Sequence, residues 1–190
     1  MVNRQDIMNF IENYLAVTEF SDYCPNGLQV EGTQSIKRVV TGVTACQALL
    51  DVAVAKQADL IIVHHGYFWK GDESVVTGML RTRLSTLLQH NINLAAYHLP
   101  LDVHPVIGNN ALLAKQLNCV RESTVKAAGV PGLLNLGRLA APMRAVDFKQ
   151  HIADCLGRVP LHVGSEDDTI ETVAWCTGAA QDCLSLAAAN

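Results

Sequence analysis

Apolar runs and segments of helical period follow one another along the first two thirds of the chain. "RQDIMNFIENYLAV" sets Ile7, Met8, Ile11 and Leu15 at near-helical spacing, which predicts a first helix. "SDYCPNGLQVEG" comes next, dense in turn formers, with Pro25-Asn26-Gly27 the strongest turn signal. "IKRVVTGVT" reads as a strand ending at Gly42, and "ACQALLDVAVAKQ" as a helix with Thr44 as its N-cap. "DLIIVHH" is the next strand, "GMLRTRLSTLLQHN" a helix and "INLAAYHLP" a further strand. "GNNALLAKQLNC" is a helix with Asn109 or Asn110 near its cap. The strands are apolar without alternation, as strands covered on both faces are. Repeated strand–helix–strand units predict an α/β sheet with parallel pairings and helices on both faces.

After about residue 120 this pattern weakens. Short strands around Gly and Pro lead to a helix near 145–156. "ETVAWCTGAAQDCLSLAAAN" then repeats the rhythm of "RVVTGVTACQALLDVAVA", a strand to Thr-Gly followed by a helix. The first copy leads on to the strand bearing His64 and His65, whereas the second stops at Asn190 with no closing strand. The expectation is a sequence cut short, with a first α/β lobe over 1–122 and an incomplete second lobe over 123–190.

Composition narrows the classes. Apolar residues make up 49% of the 190 positions, which fits a folded α/β protein. No apolar run approaches the roughly 20 residues of a membrane span. The N-terminus lacks a signal-peptide core, so the cytoplasm is the default compartment. The net charge of −4, without a basic cluster, disfavours direct nucleic-acid binding. No pair among the 6 cysteines is spaced as CxxC, and they read as free thiols behaving as small apolar residues.

The candidate chemistry lies in histidines at strand ends. "IIVHHG" carries His64 and His65, and "LAAYHLPLDVH" carries His98, Asp102 and His104. Parallel strands of one open sheet end on one edge, where such sheets place their sites. Adjacent residues of a regular strand point to opposite faces. Ending the strand at Gly66 would let both imidazoles reach the edge, where neighbouring ligands more naturally serve two ions than one. Asp102 could bridge or orient, and imidazole with carboxylate suits Zn, Fe or Mn. Two ions about 3.5–4 Å apart would activate water for hydrolysis. The competing readings are a hydrogen-bonded histidine pair and a metal-free acid–base site. His104 in "DVHP" also reads as a turn residue or a partner behind a ligand. His90, His151 and His162 sit in polar or loop contexts. Tyr67, Phe68 and Trp69 read as a packing lid or subunit contact before a substrate platform. No Walker or GxGxxG loop is present.

"SDYCPNGLQVEG", "VVTGVTACQALLDVA", "IIVHHGYFWKG", "RLSTLLQHNINLAAYHLPLDVHPVIGNNALLA" and "VAWCTGAAQ" occur in one order over nearly the whole chain. Together they resemble the Nif-three-like family, whose members are often labelled GTP cyclohydrolase 1 type 2 homologues. The resemblance implies two similar, intertwined three-layer α/β/α lobes, a dinuclear metal site and a homo-oligomer, typically a hexamer. It matches His64, His65 and Asp102 to metal ligands and His98 to a histidine close to the site. Family members continue past this chain's end with a further His and a Glu ligand. If the sequence is the whole protein, the expectation is at most three protein ligands, His64, His65 and Asp102, and two divalent ions bound weakly or not at all. The implied activity is a metal-dependent hydrolase of a nucleotide or other small molecule, with His98 or His104 handling a proton. The alternative is a non-enzymatic metal-binding scaffold or partner-binding oligomer.

Overall fold

The computed structural model describes residues 1–190 as two compact α/β units, Met1–Leu101 and Asp102–Asn190. The first unit opens with β1 (Val2–Asn3) and α1 (Arg4–Tyr14). The Asn3 side chain caps α1 by accepting the Gln5 N–H at 2.8 Å. Next come β2 (Gly27–Val30), β3 (Ser35–Ile36), β4 (Val39–Thr44), α2 (Gln47–Ala55), β5 (Leu60–His65), α3 (Gly78–Gln89) and β6 (Asn93–Ala96). β1 pairs with β3 in a small ribbon. The main sheet has the order β2-β6-β5-β4, with β4, β5 and β6 parallel and β2 antiparallel at one edge.

Both faces of this sheet are covered, as the unalternating apolar strands require. Ile61 and Val63 of β5 pack with Leu50 and Ala53 of α2 and Leu87 of α3. Leu60 and Ile62, one residue out of phase, pack with Met8, Ile7 and Ile11 of α1. Leu60 and Ile61 are both fully buried, each worth about 1.5–3 kcal/mol. β5 is thus clamped between two cores.

Two details depart from the sequence reading. β4 runs through Gly42 to Thr44, and Gly42 serves the approach of α2 instead of ending the strand: a Cβ there would strike the Leu49 side chain. Thr44 is the last residue of β4, paired with His65, and Cys46 occupies the N-cap of α2 without a side-chain bond.

A short helix, α4 (Leu99–Val103), follows β6 and contains the division between the units. The second unit continues with α5 (Asn109–Gln116), β7 (Cys119–Ala127), β8 (Val130–Arg144), α6 (Ala145–Leu156), β9 (Thr169–Trp175) and α7 (Leu184–Ala188). The 122/123 boundary expected from the sequence falls inside β7. β7, β8 and β9 form an antiparallel sheet in that order. Ala128 and Gly129 join β7 to β8, both at positive φ, the conformation of a tight hairpin turn. All six cysteines are free. No helix is long and apolar enough to cross a membrane.

Candidate metal centre

β5 lies between β4 and β6, so its last residues stand at the middle of the sheet's C-terminal edge. His64 leans towards β6: its Nδ1 is 3.0 Å from the Tyr97 carbonyl oxygen. A carbonyl only accepts, so this contact puts the proton on Nδ1 and leaves Nε2 with the lone pair. His65 leans towards β4, its Nδ1 3.4 Å from Thr44 Oγ1. The two rings lie 4.4 Å apart, tilted by 43°. Gly66 follows, in a place with no room for a side chain: a Cβ would overlap Gln29 Oε1 and stand 2.7 Å from Ala96 Cβ.

His98 completes the group. Its ring centre is 5.1 Å from that of His64 and 5.7 Å from that of His65. One donor atom of each of the three histidines lies within 4.8 Å of the others. β6 ends at Ala96, and His98 is held by side chains instead of a strand partner. Its backbone N–H donates to Asn26 Oδ1 at 2.7 Å, and its Nδ1 donates to Asp22 Oδ1 at 2.8 Å. A ligand histidine bonded from behind by a carboxylate is the arrangement that fixes tautomer and ring direction.

Asp22 is itself tightly specified, with a side chain 3% exposed. Burial works against its carboxylate. Hydrogen bonds from His98, Asn26 and the Leu99 and Tyr23 backbones overcome that and bring its pKa from 3.8 to about 2. Cys24 belongs to a second group, with Asp22 and His98, whose donor atoms lie within 4.8 Å of one another. Burial, reinforced by the Asp22 charge, pushes the Cys24 thiol up to about 12. The three imidazoles are the better match to a divalent ion: they are neutral nitrogen donors, whereas Asp22 is occupied by four N–H groups and Cys24 holds its proton.

The aromatics divide by role. Tyr67 is packing: it is buried, and its hydroxyl donates to the Ala45 carbonyl at 2.8 Å. Trp69 sits edge-on to His98 with ring centres 4.9 Å apart, and 5.9 Å from the His65 ring. Its Nε1 donates to the Gly66 carbonyl at 3.2 Å, which folds the indole back over the strand end.

Asp102 and His104 belong to the second unit. Asp102 is 5% exposed, and its Oδ1 accepts from Asn109 Nδ2 at 2.7 Å and Thr177 Oγ1 at 3.3 Å. His104 Nδ1 accepts the Val106 and Ile107 backbone N–H groups at 3.3 and 3.2 Å, so its neutral ring carries the proton on Nε2. His104 thereby shapes the turn that leads to α5. The structure thus gathers His64, His65 and His98 and adds Asp22, which sequence reasoning did not single out. The only local signal for Asp22 is its place at the head of the turn-rich "SDYCPNG" stretch.

Residues 2–190 match the Duf34/NIF3 family (NGG1p interacting factor 3). A Pseudomonas aeruginosa protein named GTP cyclohydrolase 1 type 2 homolog is 51% identical over 178 residues, covering 94% of this chain and 70% of that protein. A Yersinia pestis protein of the same name is 50% identical over 185 residues, covering 96% of this chain and 72% of that protein. Among solved structures, protein ybgI, described as of unknown function, superposes with a TM-score of 0.92 at 44% identity. That match covers 99% of this chain and 74% of ybgI. A Thermus thermophilus protein superposes with a TM-score of 0.84 at 34% identity, covering 97% of this chain and 74% of that one.

Proposed function

We propose a metal-dependent function from one premise: the chain belongs to the Duf34/NIF3 family. In this proposal it binds divalent metal and hydrolyses a nucleotide or another small molecule. The observation that carries the reading is the gathering of His64, His65 and His98 donor atoms within 4.8 Å, at the C-terminal ends of the parallel strands β5 and β6. A divalent ion held there would lower the pKa of water and polarise a substrate oxygen.

His64 and His65 are the proposed ligands of the first unit. Asp102 is the proposed carboxylate ligand, on the family resemblance and on its place in α4, the helix that directly follows His98. The complement proposed is two ions of Zn, Fe or Mn, held weakly by these three ligands, so each ion is added in excess before bound metal is measured. His98, its Nδ1 donating to Asp22, offers Nε2 to take or give a proton at the substrate, or to serve as a third imidazole ligand. His104, with Nδ1 engaged by two backbone N–H groups, is the proposed second proton-handling residue. The name shared by the relatives makes GTP one nucleotide to test. The proposed setting is a cytoplasmic homo-oligomer, a hexamer, acting on small molecules and not on nucleic acid.

The test is a His64→Ala/His65→Ala double variant beside the parent chain. Bound metal, hydrolysis of a nucleotide and ester panel including GTP, and oligomeric state are measured on both. The expected result is loss of metal and turnover with the oligomer kept. Metal bound to the parent without metal-dependent turnover replaces the hydrolase with a metal-binding scaffold. No metal on the parent in any of the three candidate ions overturns both.

A further inference from the structure

The first unit holds a pocket of about 460 Å³ that shares His65 and Trp69 with the imidazole cluster. This is the size of small-molecule sites, which run from roughly 300 to 1,000 Å³. Its walls include Phe68, Met79 and Leu80, apolar groups that suit a flat ring. Phe68 is 42% exposed and held at φ 64°, a left-handed conformation that aromatic residues rarely adopt. The fold keeps this strained, half-open aromatic on the pocket wall, although it adds little to the core.

Arg83 supplies the second feature. It lines the same pocket from α3, and its Nε is buried without a hydrogen-bond partner. A buried donor left unmet is unfavourable, and a guanidinium keeps its charge at any physiological pH. Asp72, also on the wall, accepts the Trp69 backbone N–H at 3.1 Å. An oxyanion brought by a ligand would meet the Arg83 fork in the geometry for which guanidinium is suited.

We propose that this pocket binds a small molecule made of a planar ring and a terminal oxyanion. The ring lies among Phe68, Trp69 and Met79, and the oxyanion pairs with Arg83. This names the substrate class for the hydrolase reading and rests on it only in placing the ligand beside His65. Phosphate and carboxylate share the required chemistry, and the probes separate them.

Phenyl phosphate, benzoate and inorganic phosphate are titrated into chelator-treated protein. Trp175→Phe is the background, so that Trp69, the other of the 2 tryptophans, reports by fluorescence. Phenyl phosphate or benzoate is expected to bind about tenfold tighter than inorganic phosphate, and the tighter of the two identifies the oxyanion. Arg83→Gln should weaken that probe by about tenfold or more. Ser74→Phe, on an exposed stretch of the wall, should block it without touching the core and without adding a second tryptophan. Equal affinity for inorganic phosphate, no binding of either ring probe, or undiminished binding in either variant overturns the proposal. Because no metal is present in the titration, a chain that binds the ring probe and holds no metal keeps this pocket while losing the hydrolase reading.

Discussion

Replacing Gly66 with Ala adds one methyl group behind the tandem histidines, and the structure says what it meets. The new Cβ would overlap Gln29 Oε1 and stand 2.7 Å from Ala96 Cβ. Ala96 is fully buried on β6 and has nowhere to retreat. Gln29 can move, but its Oε1 accepts the Tyr67 backbone N–H at 2.7 Å and its Nε2 donates to the Pro25 carbonyl at 2.9 Å. Stripping the Tyr67 N–H of its acceptor costs about 1–3 kcal/mol. Crowding against Ala96 adds about 1–3 kcal/mol more. The expected loss is therefore roughly 3–4 kcal/mol, large for a single methyl. The assay is urea unfolding followed by fluorescence in the Trp175→Phe background, where Trp69 reports the first unit. Gln29→Ala alone should cost about 1–2 kcal/mol. The Gly66→Ala/Gln29→Ala pair should cost less than the sum of the singles, because truncating Gln29 removes one of the two clashes. A Gly66→Ala loss below about 0.5 kcal/mol, or strict additivity of the pair, would refute the steric account.

Three further outcomes follow from other parts of the first unit. Asp22 is held at about 2 against an ordinary 3.8, so its carboxylate contributes stability that is full above about pH 4 and is lost as pH falls through about 2. Allowing for solvent screening this is roughly 2 kcal/mol; the stability gap to Asp22→Asn should shrink by about 1 kcal/mol between pH 6 and pH 3, and a gap constant over that range contradicts it. Asn93 is fully buried, donates to the Thr33 and Asp59 carbonyls at 2.7 and 2.8 Å and accepts from the Gly32 backbone N–H at 2.8 Å. Asn93→Leu should therefore cost about 3 kcal/mol or more, read as a fall in Tm, and an unchanged Tm would show these partners to be satisfied otherwise. Cys24, its thiol pushed up to about 12 by burial and the Asp22 charge, should react with iodoacetamide at pH 8 more slowly than half-buried Cys46, followed by peptide mass spectrometry; equal rates would count against the burial.

What the sequence made legible follows from how local each signal is. β5 and α6 match their predicted spans because an unbroken apolar run and a clean helical period need no distant partner to be read. The strand read over "INLAAYHLP" stops at Ala96 for a non-local reason. The Leu99 N–H donates to Asp22 Oδ2 at 2.9 Å and the His98 N–H to Asn26, so side chains more than seventy positions earlier turn the chain into α4. β8 is a single strand of 15 residues where the sequence suggested short ones. Its Gly137 looks like a breaker but permits close pairing, since a Cβ there would strike the Val120 carbonyl. His64 and His65 announce themselves by adjacency at a strand end. Asp22 and Arg83 do not: each becomes informative only through what it faces across the fold.

The tandem histidines stand on neighbouring residues, so one peptide unit, about 3.8 Å from Cα to Cα, sets the spacing of their backbones. Substitutions drifting into α1 on one side, or α2 and α3 on the other, can loosen or tighten the cover of the sheet, yet they cannot move the two anchor points apart. The pair is a jaw of fixed width. His98 is the adjustable member, because its direction depends on the side chains of Asp22 and Asn26. Divergence in which ion such a centre prefers would therefore be written in the turn around Asp22, while the histidine pair stays as it is.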